Sequence, residues 1–297
     1  MIMSEGQGSM QSRLDWALEP IAEMSAAEFH VWQALLEERS GMVVSEGRRV
    51  FLQTNLSARM REIGAADYSS YYRQVTAGPR GAVEWSLLMD RLTVQETRFF
   101  RHPESFTLLE RYLAQRLRHE GIERPWSLWS VGCASGEETY SLAISASEVL
   151  RDCAAVDRFG VTGTDISLSA LEKGRNAIYD ERRLEQVAAP LRERYFVSMP
   201  HNRAQVAPEL VARVCFAKLN VLELASAPLA GLDVIFCQNL LIYFRRWRRR
   251  EILNRLVERL APGGLLVVGV GEVVGWQHPD LVPVADDQVL AFTRKSL

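Results

Sequence analysis

Three apolar runs, each ending in small or polar residues, constrain this chain more than any other feature. Ser127–Val131 leads into the Gly-rich turn of SVGCASGEE at Ser130–Glu138. Phe159–Thr164 ends at Asp165. Leu232–Cys237 ends at Gln238 and Asn239. Such runs, alternating with helix-length amphipathic stretches, read as buried strands of a parallel-rich sheet covered on both faces. They predict a nucleotide-type pocket at the carboxyl edge of a doubly wound α/β sheet.

The amino-terminal third has a different period. Ser25 with Glu28 forms a capping-box pattern ahead of Phe29, Trp32, Leu35 and Leu36. Val50, Leu52, Leu56 and Met60 predict a second helix. Tyr68, Tyr71, Tyr72 and Val75 predict a third, stopped by Gly78-Pro79, and Trp85, Leu88, Met89 and Leu92 a fourth. Arg48, Arg49, Arg59, Arg61 and Arg73 read as a basic face or as an ordinary solvated surface. The expected organisation is a disordered 1–15, a helical domain over 16–92, a linker and helix over 93–120, and an α/β domain over 121–297. In the α/β part, helices are predicted over Glu137–Arg151, Leu168–Asn176 and Trp247–Leu260, with Pro262-Gly263-Gly264 ending the last. Further strands are predicted over Leu265–Val270 and Gln288–Thr293. Residues 180–218 read as irregular, with a small β insertion over about 185–218 that takes in the β-like Val211–Phe216.

Composition narrows the function classes. Across 297 residues the net charge is −2, which argues against binding nucleic acid through overall charge. Arg245–Arg250 is a local basic run, but it opens an amphipathic helix and reads as that helix's solvent side. No apolar run reaches the ~18 residues of a membrane helix, and the first residues lack a leader pattern, so a cytoplasmic location is expected. Cys133, Cys153, Cys215 and Cys237 show neither CxxC spacing nor nearby His, so no metal site is expected and the thiols read as reduced and mostly buried.

Glu137 and Glu138 open the helix after the glycine turn. Two carboxylates there repel a phosphate and favour a cation. S-adenosylmethionine carries a sulfonium and an ammonium and no phosphate. Asp165 lies where Rossmann-like folds place a ribose-binding acid. Asn220 and Val221, in AKLNVLEL, end a further strand where adenine is commonly held. The GxGxxG fingerprint of NAD enzymes is absent.

The set TxFFR, GCASGEExYSLA, TDIS, KLN, FCxNxLIYF and PGGLLVVGVGE resembles the CheR-type chemoreceptor glutamate methyltransferases, over nearly the whole chain. Within them it looks most like the PilK branch, associated with type IV pili and twitching motility. The resemblance implies a Rossmann-like S-adenosylmethionine-dependent methyltransferase domain with a small all-helical amino-terminal domain and a small β insertion. It implies a monomer acting on the cytoplasmic helical bundle of a chemoreceptor, with S-adenosylhomocysteine as product. Carried over residue by residue, it gives Arg101 and Tyr243 catalytic roles. It gives Gln95, Thr97, Arg101, Gly132, Glu137, Asp165, Asn220, Val221, Cys237 and Gln238 cofactor-binding roles.

The chain departs from the pattern at Gln95, where the family has Asn, and at Gln238, where it has Arg. The stretch VSMPHNRAQVAP lacks the glycines of the family's receptor-tethering loop, so pentapeptide tethering is not expected. Two competing readings are a nucleic-acid methyltransferase and a weakly active S-adenosylmethionine-binding adaptor. The first is disfavoured because CQNLLIY lacks the proline of a D/N-P-P-Y/F segment. The second is supported by Gln238 alone.

Overall fold

The computed structural model describes residues 21–93, 95–153 and 157–296; the expected disorder of 1–15 and the reading of the first residues lie outside them. Four helices come first: α1 (Ala26–Ser40), α2 (Arg49–Ile63), α3 (Tyr68–Thr76) and α4 (Gly78–Leu92). Ser25 and Glu28 exchange both bonds of a capping box, with the Glu28 amide donating to Ser25 Oγ at 3.2 Å. The apolar stripes meet in one core, where Trp32 packs against Tyr71 and Tyr72. Val50 does not join it and is exposed, because it lies about 200° around α2 from Leu52, which takes the core side. Pro79 does not only stop α3; it lies in the first turn of α4, where its missing N–H costs nothing. Arg59 is neutralised by Glu62 and Glu84, each at 2.7 Å.

Helix α5 (Pro103–Glu120) leads into the α/β part: β1 (Trp126–Val131), α6 (Glu137–Leu150), β2 (Phe159–Asp165), α7 (Leu168–Asn176), β3 (Ile178–Asp180), α8 (Ala189–Tyr195), β4 (Phe196–Met199), β5 (Arg203–Val206), α9 (Pro208–Val211), β6 (Val214–Lys218), β7 (Leu232–Cys237), α10 (Arg246–Arg259), β8 (Leu260–Val268), β9 (Leu281–Pro283) and β10 (Leu290–Arg294). The main sheet runs β6-β2-β1-β7-β8-β10-β9, parallel except that β10 is antiparallel to both β8 and β9. Strand order reverses between β1 and β7, so their carboxyl ends part to leave a crevice.

Three expectations need correction. Val214–Lys218 is the edge strand of the main sheet, paired parallel with β2, and not part of the insertion. The small sheet is β3-β5-β4, which spans 178–206 and lies, but for its first two residues, in the stretch read as irregular. Pro262-Gly263-Gly264 does not separate helix from strand. It lies inside β8 as a bulge, where a step from Leu232 to Val234 on β7 faces a step from Leu260 to Leu265. The thiols are also less buried than expected: Cys133 and Cys237 are buried, Cys153 is half-buried and Cys215 is exposed on β6. All four are free.

Candidate active site

Two adjoining cavities, with about 750 and about 870 Å³ of empty space, lie at the carboxyl edge between β1 and β7. Gly132, Ala134, Asn239 and Tyr243 line both. The first cavity is roofed by the helical unit, through Ser40, Met42, Met89 and Thr93. The second opens beside Thr97, Arg98 and Arg101.

The strap carrying Arg101 is held down by its two phenylalanines. Phe99 is fully buried, edge-on to Tyr179 and Phe196 of the small sheet at 5.0 and 5.1 Å. Phe100 packs edge-on to Phe106 at 4.9 Å, and its amide donates to Ser141 Oγ at 3.0 Å. These anchors leave Thr97 and Arg101 facing the second cavity. Arg101 Nη1 donates to the Glu96 carbonyl at 2.8 Å, and the remaining guanidinium donors stay available.

After β1, the Gly132 and Cys133 amides both donate to the Thr164 carbonyl, at 2.8 and 2.9 Å. Gly136 ends the turn at φ 94°, and a Cβ there would lie 2.7 Å from Phe216 Cζ, so only glycine fits. The two glutamates that follow point in different directions, since successive helix residues diverge by about 100°. Glu137 is 1% exposed and faces away from the cavities. It accepts from Ser135 Oγ at 2.7 Å and from Arg183 Nη1 at 3.2 Å. Glu138 lines the second cavity and accepts from Ser130 Oγ at 2.7 Å. Burial pushes its carboxyl up to about 7, against the pull of the Ser130 bond. Of the two, Glu138 lines the second cavity, while Glu137, the one the motif nominated, lines neither.

Asp165 lines the first cavity. Its two oxygens accept the amides of Ala134 and Ser167, at 2.9 Å each. Burial raises its carboxyl, and these amides work against that rise. Each oxygen keeps a free lone pair for a ribose hydroxyl. Gln95 also lines this cavity and bonds Ser167 Oγ at 3.0 Å. Asn220 and Val221 line it as well. Asn220 Nδ2 donates to the Arg39 carbonyl at 2.8 Å, so this residue also joins the two units.

Tyr243 ends a single 3-10 turn, Leu241–Tyr243, and packs against the cores of both units. Burial raises its phenol, while Arg48 and Arg101 favour the ionised form. Gln238 is buried in the wall of the second cavity, with Nε2 donating to Ser105 Oγ at 2.9 Å. Cys237 is fully buried and lines neither cavity. Phe100, on the strap, and Ala134 and Asn239, which line both cavities, all have left-handed backbones at φ 51°, 47° and 58°. Non-glycine residues held there carry strain, which concentrates at functional sites.

The sequence did not nominate Met42, Met89, Ile166 or Leu240, which give the first cavity its apolar lining. Nor did it nominate Glu272, which bonds the Leu241 amide at 3.1 Å. Met42 and Met89 lie outside every motif and come in only with the docking of the helical unit, while Ile166 and Leu240 sit within TDIS and FCxNxLIYF at positions the motifs gave no role. The tail PGGLLVVGVGE contained Glu272 but gave no sign of where its side chain points.

The all-alpha domain of the CheR methyltransferases matches residues 27–93, and their SAM-binding domain matches residues 95–290. The chain belongs to the CheR methyltransferase family. A chemotaxis protein methyltransferase of Klebsiella aerogenes is 33% identical over 252 residues, 84% of this chain and 84% of that protein. Its Escherichia coli counterpart is 33% identical over 252 residues, covering 84% and 85%. Chemotaxis protein methyltransferase 2 of Pseudomonas aeruginosa is 32% identical over 249 residues, covering 82% and 86%. As a CheR methyltransferase the chain is an enzyme that uses S-adenosylmethionine, and the geometry fits that group. The first cavity has largely apolar walls with one acid, Asp165, held by two backbone amides, and the second has a half-buried carboxylate, Glu138, without a cationic partner in hydrogen-bond contact. Among the described residues no His/Cys/Asp/Glu cluster could hold a metal ion.

Proposed function

We propose that this enzyme methylates glutamate side chains on the cytoplasmic helical bundle of a methyl-accepting chemoreceptor. The observation that carries the reading is the second cavity, where Arg101, on the anchored strap, faces an opening bordered by Tyr243. When bound, S-adenosylmethionine supplies a methyl group on a sulfonium and leaves as S-adenosylhomocysteine. Asp165, Asn220, Val221 and Gln95 would hold its adenosine end. Gly132, Glu138 and Thr97 would hold its methionine end, with Glu137, Cys237 and Gln238 shaping the walls behind them. Arg101 orients the incoming carboxylate, and the Tyr243 hydroxyl hydrogen-bonds it. A glutamate, with a pKa of about 4.3, is ionised at neutral pH, so alignment matters more than a general base. Charge is neutralised as the reaction proceeds, which favours a site that keeps bulk water away.

The basic run supports a protein substrate over nucleic acid. Arg245 pairs with Glu37, Arg248 pairs with Glu251, and Arg249 donates to the Phe244 and Glu272 carbonyls. Three of its five arginines are thus engaged within the chain, two of them by carboxylates. No helix among the described residues is long and apolar enough to cross a membrane, and the proposal places the enzyme in the cytoplasm as a monomer.

The test uses tritiated S-adenosylmethionine with cytoplasmic fragments of chemoreceptors from the same cell, a pilus-array receptor beside a flagellar one. Label released by base as volatile methanol identifies a carboxyl methyl ester, and the fragment that carries it tests the PilK placement. Unlabelled receptors, with S-adenosylmethionine still bound by the enzyme, refute the substrate.

A further inference from the structure

Glu272 follows β8, is 4% exposed and belongs to no role assigned above. Its Oε2 accepts the amide of Leu241, the first residue of the 3-10 turn that ends in Tyr243. Arg249 of α10 closes the same loop from the other side. Its Nε donates to the Phe244 carbonyl at 2.9 Å and its Nη1 to the Glu272 carbonyl at 2.7 Å. The loop enters through Asn239 at φ 58°, a backbone state that persists only where its surroundings over-determine it. We infer that Glu272 is a positioning residue for the methyl transfer: its carboxylate holds the Asn239–Phe244 turn, and with it Tyr243, at the edge shared by the two cavities. The inference rests on the role proposed for Tyr243. A side chain of this length suits the task because its oxygen spans the gap to a buried amide that water does not reach. Burial raises its carboxyl, while the Leu241 and Asn239 amides, Arg249 and Arg101 favour the charged form.

Two substitutions separate reach from charge. Glu272→Gln keeps an oxygen at the same distance and loses the charge. Glu272→Asp keeps the charge and falls short of the Leu241 amide. Three quantities are read on the full chain: kcat with a receptor fragment, the Kd for S-adenosylhomocysteine, and amide hydrogen exchange over 239–244. Glu272→Asp is expected to lower kcat by about tenfold or more, leave Kd within about threefold, and speed exchange in that segment. Glu272→Gln is expected to stay within about threefold of wild type in all three. A Gln variant as slow as the Asp variant assigns the effect to charge and overturns the inference. So does an Asp variant with wild-type kcat, or one whose Kd rises in step with its loss of turnover. If wild type labels no receptor, the proposed substrate is at fault, and the exchange data decide separately: unchanged exchange over 239–244 in Glu272→Asp refutes the holding role.

Discussion

The amide of Val43 donates to the backbone carbonyl of Tyr243 at 2.8 Å. The tyrosine assigned to the transfer is thus tied directly to the helical unit, three residues past the end of α1. Gly41 makes the junction possible. It ends α1 at φ 75°, and a Cβ there would lie 2.6 Å from Phe244 Cε1. Gly41→Ala is expected to cost roughly 1–3 kcal/mol of stability, from the left-handed backbone and the displaced ring. Because Met42 and Tyr243 line the first cavity, the same variant should bind S-adenosylhomocysteine more weakly. Urea unfolding and calorimetric titration read both effects, and an unchanged Kd would separate the junction from the cofactor site.

Glu138 makes a pH-dependent prediction with opposite signs for stability and binding. Its folded value rises from 4.5 to about 7. A raised acid stabilises the fold while protonated, and that stability is lost as pH climbs from 4.5 through about 7. Glu138→Gln should therefore match wild type near pH 4.5 and exceed it at pH 8, by on the order of 1–3 kcal/mol with water in the open cavity allowed for. Binding runs the other way. Wild type should bind S-adenosylmethionine up to about tenfold more weakly at pH 6 than at pH 8, as the carboxylate is lost. Glu138→Gln should bind weakly and without that slope.

Arg101 and Tyr243 should differ in how much each contributes. Arg101→Ala is expected to lower kcat by about a hundredfold or more, since it removes the group that aligns the carboxylate. Arg101→Lys should recover only part of this, because an ammonium lacks the planar fork. Tyr243→Phe keeps the ring packed against both cores and loses one hydrogen bond, so a loss of about tenfold is expected. Single-turnover kinetics with saturating S-adenosylmethionine measure each value, and near-normal turnover of Arg101→Ala removes it from the mechanism.

Gln238 replaces an arginine of the family pattern, and its amide is satisfied by Ser105. Gln238→Arg would add a cation near Glu138 and Arg101. The carboxylate should then form at lower pH, which shifts the pH dependence of cofactor binding downward. Turnover at pH 8 is expected to stay within about threefold of wild type. A rise of tenfold or more would mean that the natural glutamine impairs the enzyme, as the adaptor reading requires.

Much of the fold was legible because the signals were local. Leu232–Cys237 is apolar but for Asp233 and is buried at every position, and the Ser25–Glu28 pair sets the start of α1 to the residue. Legibility failed where position depended on partners distant in sequence. Val214–Lys218 is an edge strand with one buried residue, so its pattern could not say which sheet it joins. Pro262-Gly263-Gly264 looks like a terminator, and its bulge exists only because β7 lies alongside. Within the site, the motif reached the right helix turn but could not tell which of two adjacent glutamates faces inward. That depends on how α6 is turned about its axis against the sheet, which adjacent identical residues do not reveal.

The first cavity takes its walls from Ser40 at one end of the chain order and Phe244 at the other, with contributions between them from four further segments. A nascent chain that has made only the helical unit, or even β1 and its glycine turn, has no such cavity. It comes into being after β7 and the turn beyond it have left the ribosome and the two units have docked. Ligand binding then stabilises that docked state and none of the earlier ones.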